Sequence, residues 1–244
     1  FTIYAAIIIV AAITLIPVNF ALTTTAIDRA LILTKSITAA SQRQVVCVGI
    51  AALLHVYHLF NWSPLPDELA QVVNSSGVPA HMLKIGFFYS TLDLAKMFSE
   101  YSFRIDNVPT DHKKLISLLN EDIVPLYMAD PHEEGHTHED VMSLKNAALH
   151  VSALTHWSLE ESKANMNDDY GHFFIVANTV SGKIIDPLMK SIKYNVEEIN
   201  QKSDEMLNMC IIFFVVTVAT CIISGAIFIV PLLLYVEKSK TRVL

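Results

Sequence analysis

Two stretches of this chain lack charged side chains altogether: residues 1 to 22, FTIYAAIIIVAAITLIPVNFAL, and residues 210 to 235, CIIFFVVTVATCIISGAIFIVPLLLY. Charge is scarce throughout, at 17% of 244 residues against 52% hydrophobic, too little for an average soluble domain. Cysteine is nearly missing as well. Cys210 and Cys221 fall in or beside the second uncharged run, which leaves Cys47 alone in the middle of the chain. A disulfide within that middle region is excluded, so packing must hold it together. Cys47 reads as a buried free thiol, with a cross-link between two chains as the alternative. Glycine-rich phosphate loops do not occur, and no nucleophile motif frames the plentiful Ser, His and Asp. Strand-like alternation is almost absent.

What is present is apolar length. As helices, the two uncharged runs reach about 33 and 39 Å, enough to cross a hydrocarbon core of roughly 30 Å. Residues 1–22 and 209–236 therefore read as transmembrane helices. A cleaved signal peptide is the alternative for the first, but its apolar run is too long and no basic segment precedes it. The chain opens at Phe1 and stops shortly after a basic cluster, as a segment of a longer polypeptide would. Lys238, Lys240 and Arg242 follow the second run, opposed only by Glu237, and short basic flanks favour the cytoplasm. Residues 23–208 are then expected outside it. Removing Glu237 from the 24 acids and the three flanking cations from the 17 bases leaves that region with a charge of −9. Nucleic acid is excluded as a partner for such a surface. Asn74-Ser75-Ser76 and Asn61-Trp62-Ser63 are glycosylation sequons suited to an outside location, Asn74 being the better acceptor because Pro64 follows the other.

The middle region reads as all-α. In residues 23–60, Ile27, Leu31, Thr34, Thr38, Ser41, Val45, Val48, Ala52, His55 and Leu59 step by threes and fours along one helical stripe. From Val45 to Phe60 the helix is apolar on nearly all sides. A third span is one reading; a buried distal end or a dimer contact through Val45, Val48, Ala52, His55 and Leu59 is preferred. Residues 173–208 mirror this helix, with Ile185, Leu188, Ile192, Val196, Ile199, Ser203 and Met206 in step and Pro187 as a kink. Between them, residues 80–104 are expected to face inward through Met82, Ile85, Tyr89, Leu92 and Met97. A helix over 111–128 carries Leu115, Leu118 and Leu119. Another over 138–164 is expected to be capped by Thr137 and lined by Val141, Leu144, Ala148, Val151 and Leu154 or Thr155. Residues 165–172, NMNDDYGH, are the turn into the last helix, and FFIVANTV within it is the one candidate strand, which would hint at a PAS-like mixed domain. The whole predicts a four-helix-bundle-like domain bracketed by two membrane helices.

One motif competes with this picture. His132-Glu133-Glu134-Gly135-His136 matches the H-E-x-x-H of zinc peptidases, with His138 two residues on. That motif works on a helix, where both imidazoles share one face and the Glu acts as base. Here Pro131 precedes it, Gly135 interrupts it, and the apolar flanks that would bury such a helix are missing; Glu160 or Glu161 as third ligand is a guess about spacing. A solvated loop is the expectation, and this segment is read as having no catalytic site and no resident cofactor. A milder alternative is Zn²⁺ or Cu²⁺ gathered by His132, His136 and His138 with Glu133 and Glu139, or a tip that gains charge as pH falls. His55 and His58 read as satisfied core or interface residues, and Asp168 and Asp169 as turn chemistry.

Span, helical outer domain and span in succession resemble bacterial chemoreceptor-type sensors. The last stretch, IFIVPLLLYVEKSKTRVL, is similar to the membrane exit of large protist proteins of the tiny-macrocyst type and of membrane-bound class III adenylyl/guanylyl cyclases. The resemblance implies a homodimeric sensor for an unknown extracellular ligand, whose output domain lies beyond Leu244; it transfers no catalytic residue. An adhesive or structural membrane protein is the competing class.

Overall fold

The computed structural model describes residues 2–60, 65–129, 137–161 and 170–243. Seven helices and two strands occur among them, in the order α1 (Thr2–Leu59), α2 (Asp67–Ser76), α3 (Ala80–Asp106), α4 (Lys113–Asn120), β1 (Val124–Ala129), β2 (Thr137–Met142), α5 (Leu144–Glu161), α6 (Tyr170–Val180) and α7 (Ile185–Val243). The chain divides into a unit of residues 1–31 with 199–244 and a unit of residues 32–198.

The first unit consists of the beginning of α1 and the greater part of α7. Segments Phe20–Leu59 and Ile185–Ser239 are long and apolar enough to cross a membrane. They differ in surroundings: nearly half of the most apolar window of the first is buried, and none of that in α7 is. Among the described residues, eighteen large apolar side chains between Leu207 and Val236 are more than a third exposed. At roughly 1 kcal/mol for the uncovered part of each, keeping them in water costs on the order of 20 kcal/mol. That exceeds the 5–15 kcal/mol by which a domain is typically stable. A run this exposed is compatible with a bilayer as its surroundings.

In the second unit, α1 supplies one wall of a hydrophobic core through Val46, Cys47, Ile50, Leu54 and Tyr57. Against it pack Ala95 and Phe98 of α3, Leu115, Leu118 and Leu119 of α4, Val151 and Leu159 of α5, Phe174 and Ile175 of α6, and Leu188 of α7. The apolarity of residues 45–60 is thus that of a core helix, which removes the need for a third span there. The stripe through Ile27, Leu31, Thr34, Thr38, Ser41, Val45, Val48, Ala52 and His55 is the exposed face of α1 instead.

Several expectations are corrected. The fold is mostly helical but not all-α, because β1 and β2 form an antiparallel hairpin with Val124 opposite Met142 and Ala129 opposite Thr137. The helix expected over 111–128 ends at Asn120; β-branched Ile123 and Val124 followed by Pro125, which has no N–H to donate, favour extended chain. Thr137 opens β2 and caps nothing. The cap of α5 is Ser143, whose Oγ accepts from Asn146 N at 3.2 Å, while its own N–H donates to Asp122 at 2.9 Å. FFIVANTV is helical, in α6. The expected helix 173–208 is not kinked at Pro187 but broken before it: Gly182 takes φ 79° and ends α6, and Pro187 sits in the first turn of α7, where a proline is tolerated. The inner face of α3 is Thr91, Ala95, Phe98, Ser102 and Ile105, whereas Met82, Ile85, Tyr89 and Met97 are exposed. On α7 the buried positions are Pro187, Leu188, Ser191, Asn195 and Glu198, with Val196 outside. Leu144, Ala148, Val151 and Thr155 do line α5, and Val141 is exposed on β2.

Candidate functional site

The histidine-rich motif lies in sequence between β1 and β2. His132, Glu133, Glu134, Gly135 and His136 lie outside the described residues, as do Asn61, Asp168 and Asp169. His138 and Glu139 are exposed on β2, opposite Met128 and Tyr127. Glu139 is engaged: its carboxylate accepts from Lys183 Nζ at 2.5 Å, and the same ammonium sits 4.1 Å from the centre of the Tyr127 ring. The hydrogen bond to Glu139 raises the Lys183 pKa above the usual lysine range. Any cation at Glu139 has to displace that pair. Among the described residues no group of three or more His, Cys, Asp or Glu converges to hold a metal ion.

A second histidine group joins α1 to α6. His58 is buried and its Nε2 lies 3.0 Å from Ser158 Oγ of α5. His172 packs against it at 4.5 Å between ring centres, and His172 Nε2 lies 3.3 Å from His55 Nδ1. The expectation of satisfied core residues fits His58. His172, expected in a turn, is helical in α6 and meets His55 and His58 of α1.

Deeper in the bundle is a polar layer that the sequence did not announce. The Arg43 side chain is fully buried, and its Nη2 donates to Ser191 Oγ of α7 at 3.1 Å. Ser36 donates to Asn195 Oδ1 at 3.2 Å, and Glu198 accepts from Thr110 and from the Asp111 amide. Four buried atoms have no hydrogen-bond partner among the described residues: Nε and Nη1 of Arg43, Ser102 Oγ and Asp106 Oδ1. Burial lowers the Arg43 pKa to about 10, against the attraction of Asp106, and burial raises that of Asp106. Buried polar groups are nearly always paired, so this layer is under-satisfied.

A groove opens between α4, β1 and the start of α7. It encloses about 380 Å³ and is lined by Lys113, Lys114, Ser117, Leu118, Ile123, Val124, Pro125, Pro187, Lys190 and Tyr194. Its rim carries three cations, and its floor is aliphatic. His112, stacked on Tyr194 at 5.3 Å, caps α4 by accepting from Leu115 N at 3.3 Å.

Of the remaining expected sites, Cys47 is buried, and burial pushes its thiol up to about 12. Asn74 is exposed in the last turn of α2, which Gly77 ends at φ 66°. Val45, Val48, Ala52 and His55 are exposed and Leu59 half-buried, so the candidate dimer stripe is not consumed by the chain's own core. Lys238, Lys240 and Arg242 continue α7 as helix. No protein-family model matches this chain, and no curated protein or solved structure matches it.

Proposed function

We propose that the chain is the extracytoplasmic input module of a two-span membrane receptor, passing a helix shift to an output region on the cytoplasmic side. The observation that carries this reading is α7 itself. One helix contributes Leu188, Ser191, Asn195 and Glu198 to the folded unit and continues through the uncovered apolar run to Lys238 and beyond. A side chain that moves in the folded unit therefore has a hydrogen-bonded rod on which to act. The polar layer supplies a reason for such motion. Arg43 and Ser36 of α1 hold Ser191 and Asn195 of α7, while other buried polar atoms of the same layer stay unpaired. A buried polar atom left unpaired costs about 1–3 kcal/mol, which an alternative arrangement that pairs it would recover, and helix shifts of roughly 1–2 Å are enough to exchange partners. The exposed stripe Val45, Val48 and Ala52 suits a second copy of the chain, and the resemblance above makes a nucleotide cyclase the output class to look for.

The test uses the full chain in lipid nanodiscs with Cys210 and Cys221 replaced by alanine and a spin label at Lys238→Cys. The label-to-label distance between two copies is compared between the wild-type domain and Arg43→Met, which empties the polar layer of its cation. A change of about 1–2 Å is expected. An unchanged distance in a folded variant refutes signal transmission and leaves the adhesive class standing.

A further inference from the structure

We propose that the groove between α4, β1 and α7 binds a small organic anion, a carboxylate or phosphate monoester carried on an apolar body. Two kinds of lining point to that chemistry. Lys113, Lys114 and Lys190 converge from two helices, and none is paired with a carboxylate among the described residues. Glu121 accepts from Ser117 at 2.6 Å, and Glu197 lies 3.5 Å from His112 and 3.9 Å from Lys193, so these two neighbouring acids are engaged elsewhere. In a chain of net charge −7, three cations lining one concavity favour anions there. Below the rim, Leu118, Val124, Pro125 and Pro187 offer only hydrocarbon, which a bare inorganic anion cannot use.

The placement of two of these lysines is itself informative. Lys113 and Lys114 are the first residues of α4, whose first turn has no acid. Cations at a helix N-terminus oppose the macrodipole, and an anion held between them and Lys190 removes the conflict. The volume of about 380 Å³ lies in the range of small-molecule sites, which run from roughly 300 to 1,000 Å³. A bound anion also bridges α4 to Lys190 of α7, two turns before Glu198. That this occupancy is the input of a receptor rests on the function proposed above; the binding itself does not.

The experiment titrates the full chain, in nanodiscs of neutral lipid, with phenyl phosphate by isothermal calorimetry. Inorganic phosphate and benzyl alcohol are the comparisons. Saturable one-site binding of phenyl phosphate is expected, at least tenfold tighter than inorganic phosphate, with no heat from benzyl alcohol. The affinity falls as salt rises, because the lysines are exposed and screened. Lys114→Gln with Lys190→Gln weakens binding at least tenfold while leaving the circular dichroism unchanged. Equal affinities for phenyl phosphate and phosphate, or an undiminished affinity in the double variant, overturn the proposal. Loss of binding when phosphatidylglycerol replaces the neutral lipid overturns it too, by assigning the site to a lipid headgroup. Failure here with α7 crossing the bilayer sinks the site alone, whereas failure of the crossing sinks the receptor.

Discussion

Asn178 of α6 is fully buried and treats β1 as a neighbouring strand would. Its Oδ1 accepts from Tyr127 N at 2.7 Å, and its Nδ2 donates to Tyr127 O at 2.9 Å and to Phe174 O at 2.8 Å. One amide side chain thus closes the edge of β1 that β2 leaves open and ties the hairpin to the core. Asn178→Ala removes three hydrogen bonds, each worth about 1 kcal/mol net, and leaves the polar groups of Tyr127 half-buried without partners. The expected loss is about 3 kcal/mol. For a folded unit of this size, 1 kcal/mol moves the midpoint by about 2–4 °C, so thermal unfolding of the full chain in detergent, followed by near-ultraviolet circular dichroism, should fall by about 6–12 °C. Asn178→Asp is the sharper control. It sets an acceptor against two carbonyls and buries a charge, so it loses more than alanine at pH 8 and recovers as acid protonates it. A loss under about 1 kcal/mol for Asn178→Ala, or no pH dependence for Asn178→Asp, refutes the role assigned to this residue.

Other perturbations test the core and the polar layer. Phe174→Ala empties a fully buried site and should cost about 3–5 kcal/mol by chemical denaturation. A Cβ at Gly49 would lie 2.9 Å from Leu94 Cδ1, so Gly49→Val should cost about 1–3 kcal/mol through overpacking of α1 against α3. Burial raises the Asp106 pKa from its ordinary 3.8, so the folded state holds that proton more tightly than the unfolded one. Its contribution is fully present below pH 3.8 and is lost as pH rises through the raised value. Denaturation against pH should therefore show Asp106→Asn gaining on wild type across that window and remaining the more stable at pH 7. Cys47, with its thiol pushed up to about 12, should resist maleimide in the native state and react on unfolding.

How far the sequence discloses this fold depends on whether a signal is local. Uncharged length is local, and the apolar run of α7 follows from it. Helix ends written in Pro, Gly and Asp are local as well, which is why α3 begins one residue after Pro79. The inner faces differ from the helical-spacing expectation for a physical reason. Met82, Ile85 and Tyr89 share a helical face that stays exposed, while α3 meets its neighbours through Phe98 and Ile105 together with the small and polar Thr91, Ala95 and Ser102. The same holds on α7, where Ser191, Asn195 and Glu198 face inward because Arg43, Ser36 and Thr110 stand opposite them. β2, THEDVM, has almost no intrinsic strand preference; it is extended because β1 pairs with it, and β1 is held by Asn178 about fifty residues on. The groove was invisible for the same reason: Lys113, Lys114 and Lys190 are unremarkable in sequence and meet only after α4 and α7 pack.

The account stands on α7 leaving the folded unit and crossing a bilayer, so the deciding measurement is sidedness. Asn74→Cys, exposed on α2, and Lys238→Cys, past the apolar run, are placed singly in a chain with Cys210 and Cys221 replaced by alanine, and intact cells are treated with a membrane-impermeant maleimide. The account predicts that Asn74→Cys labels at once and Lys238→Cys only after permeabilisation. Labelling of both positions in intact cells, or of Lys238→Cys alone, contradicts it.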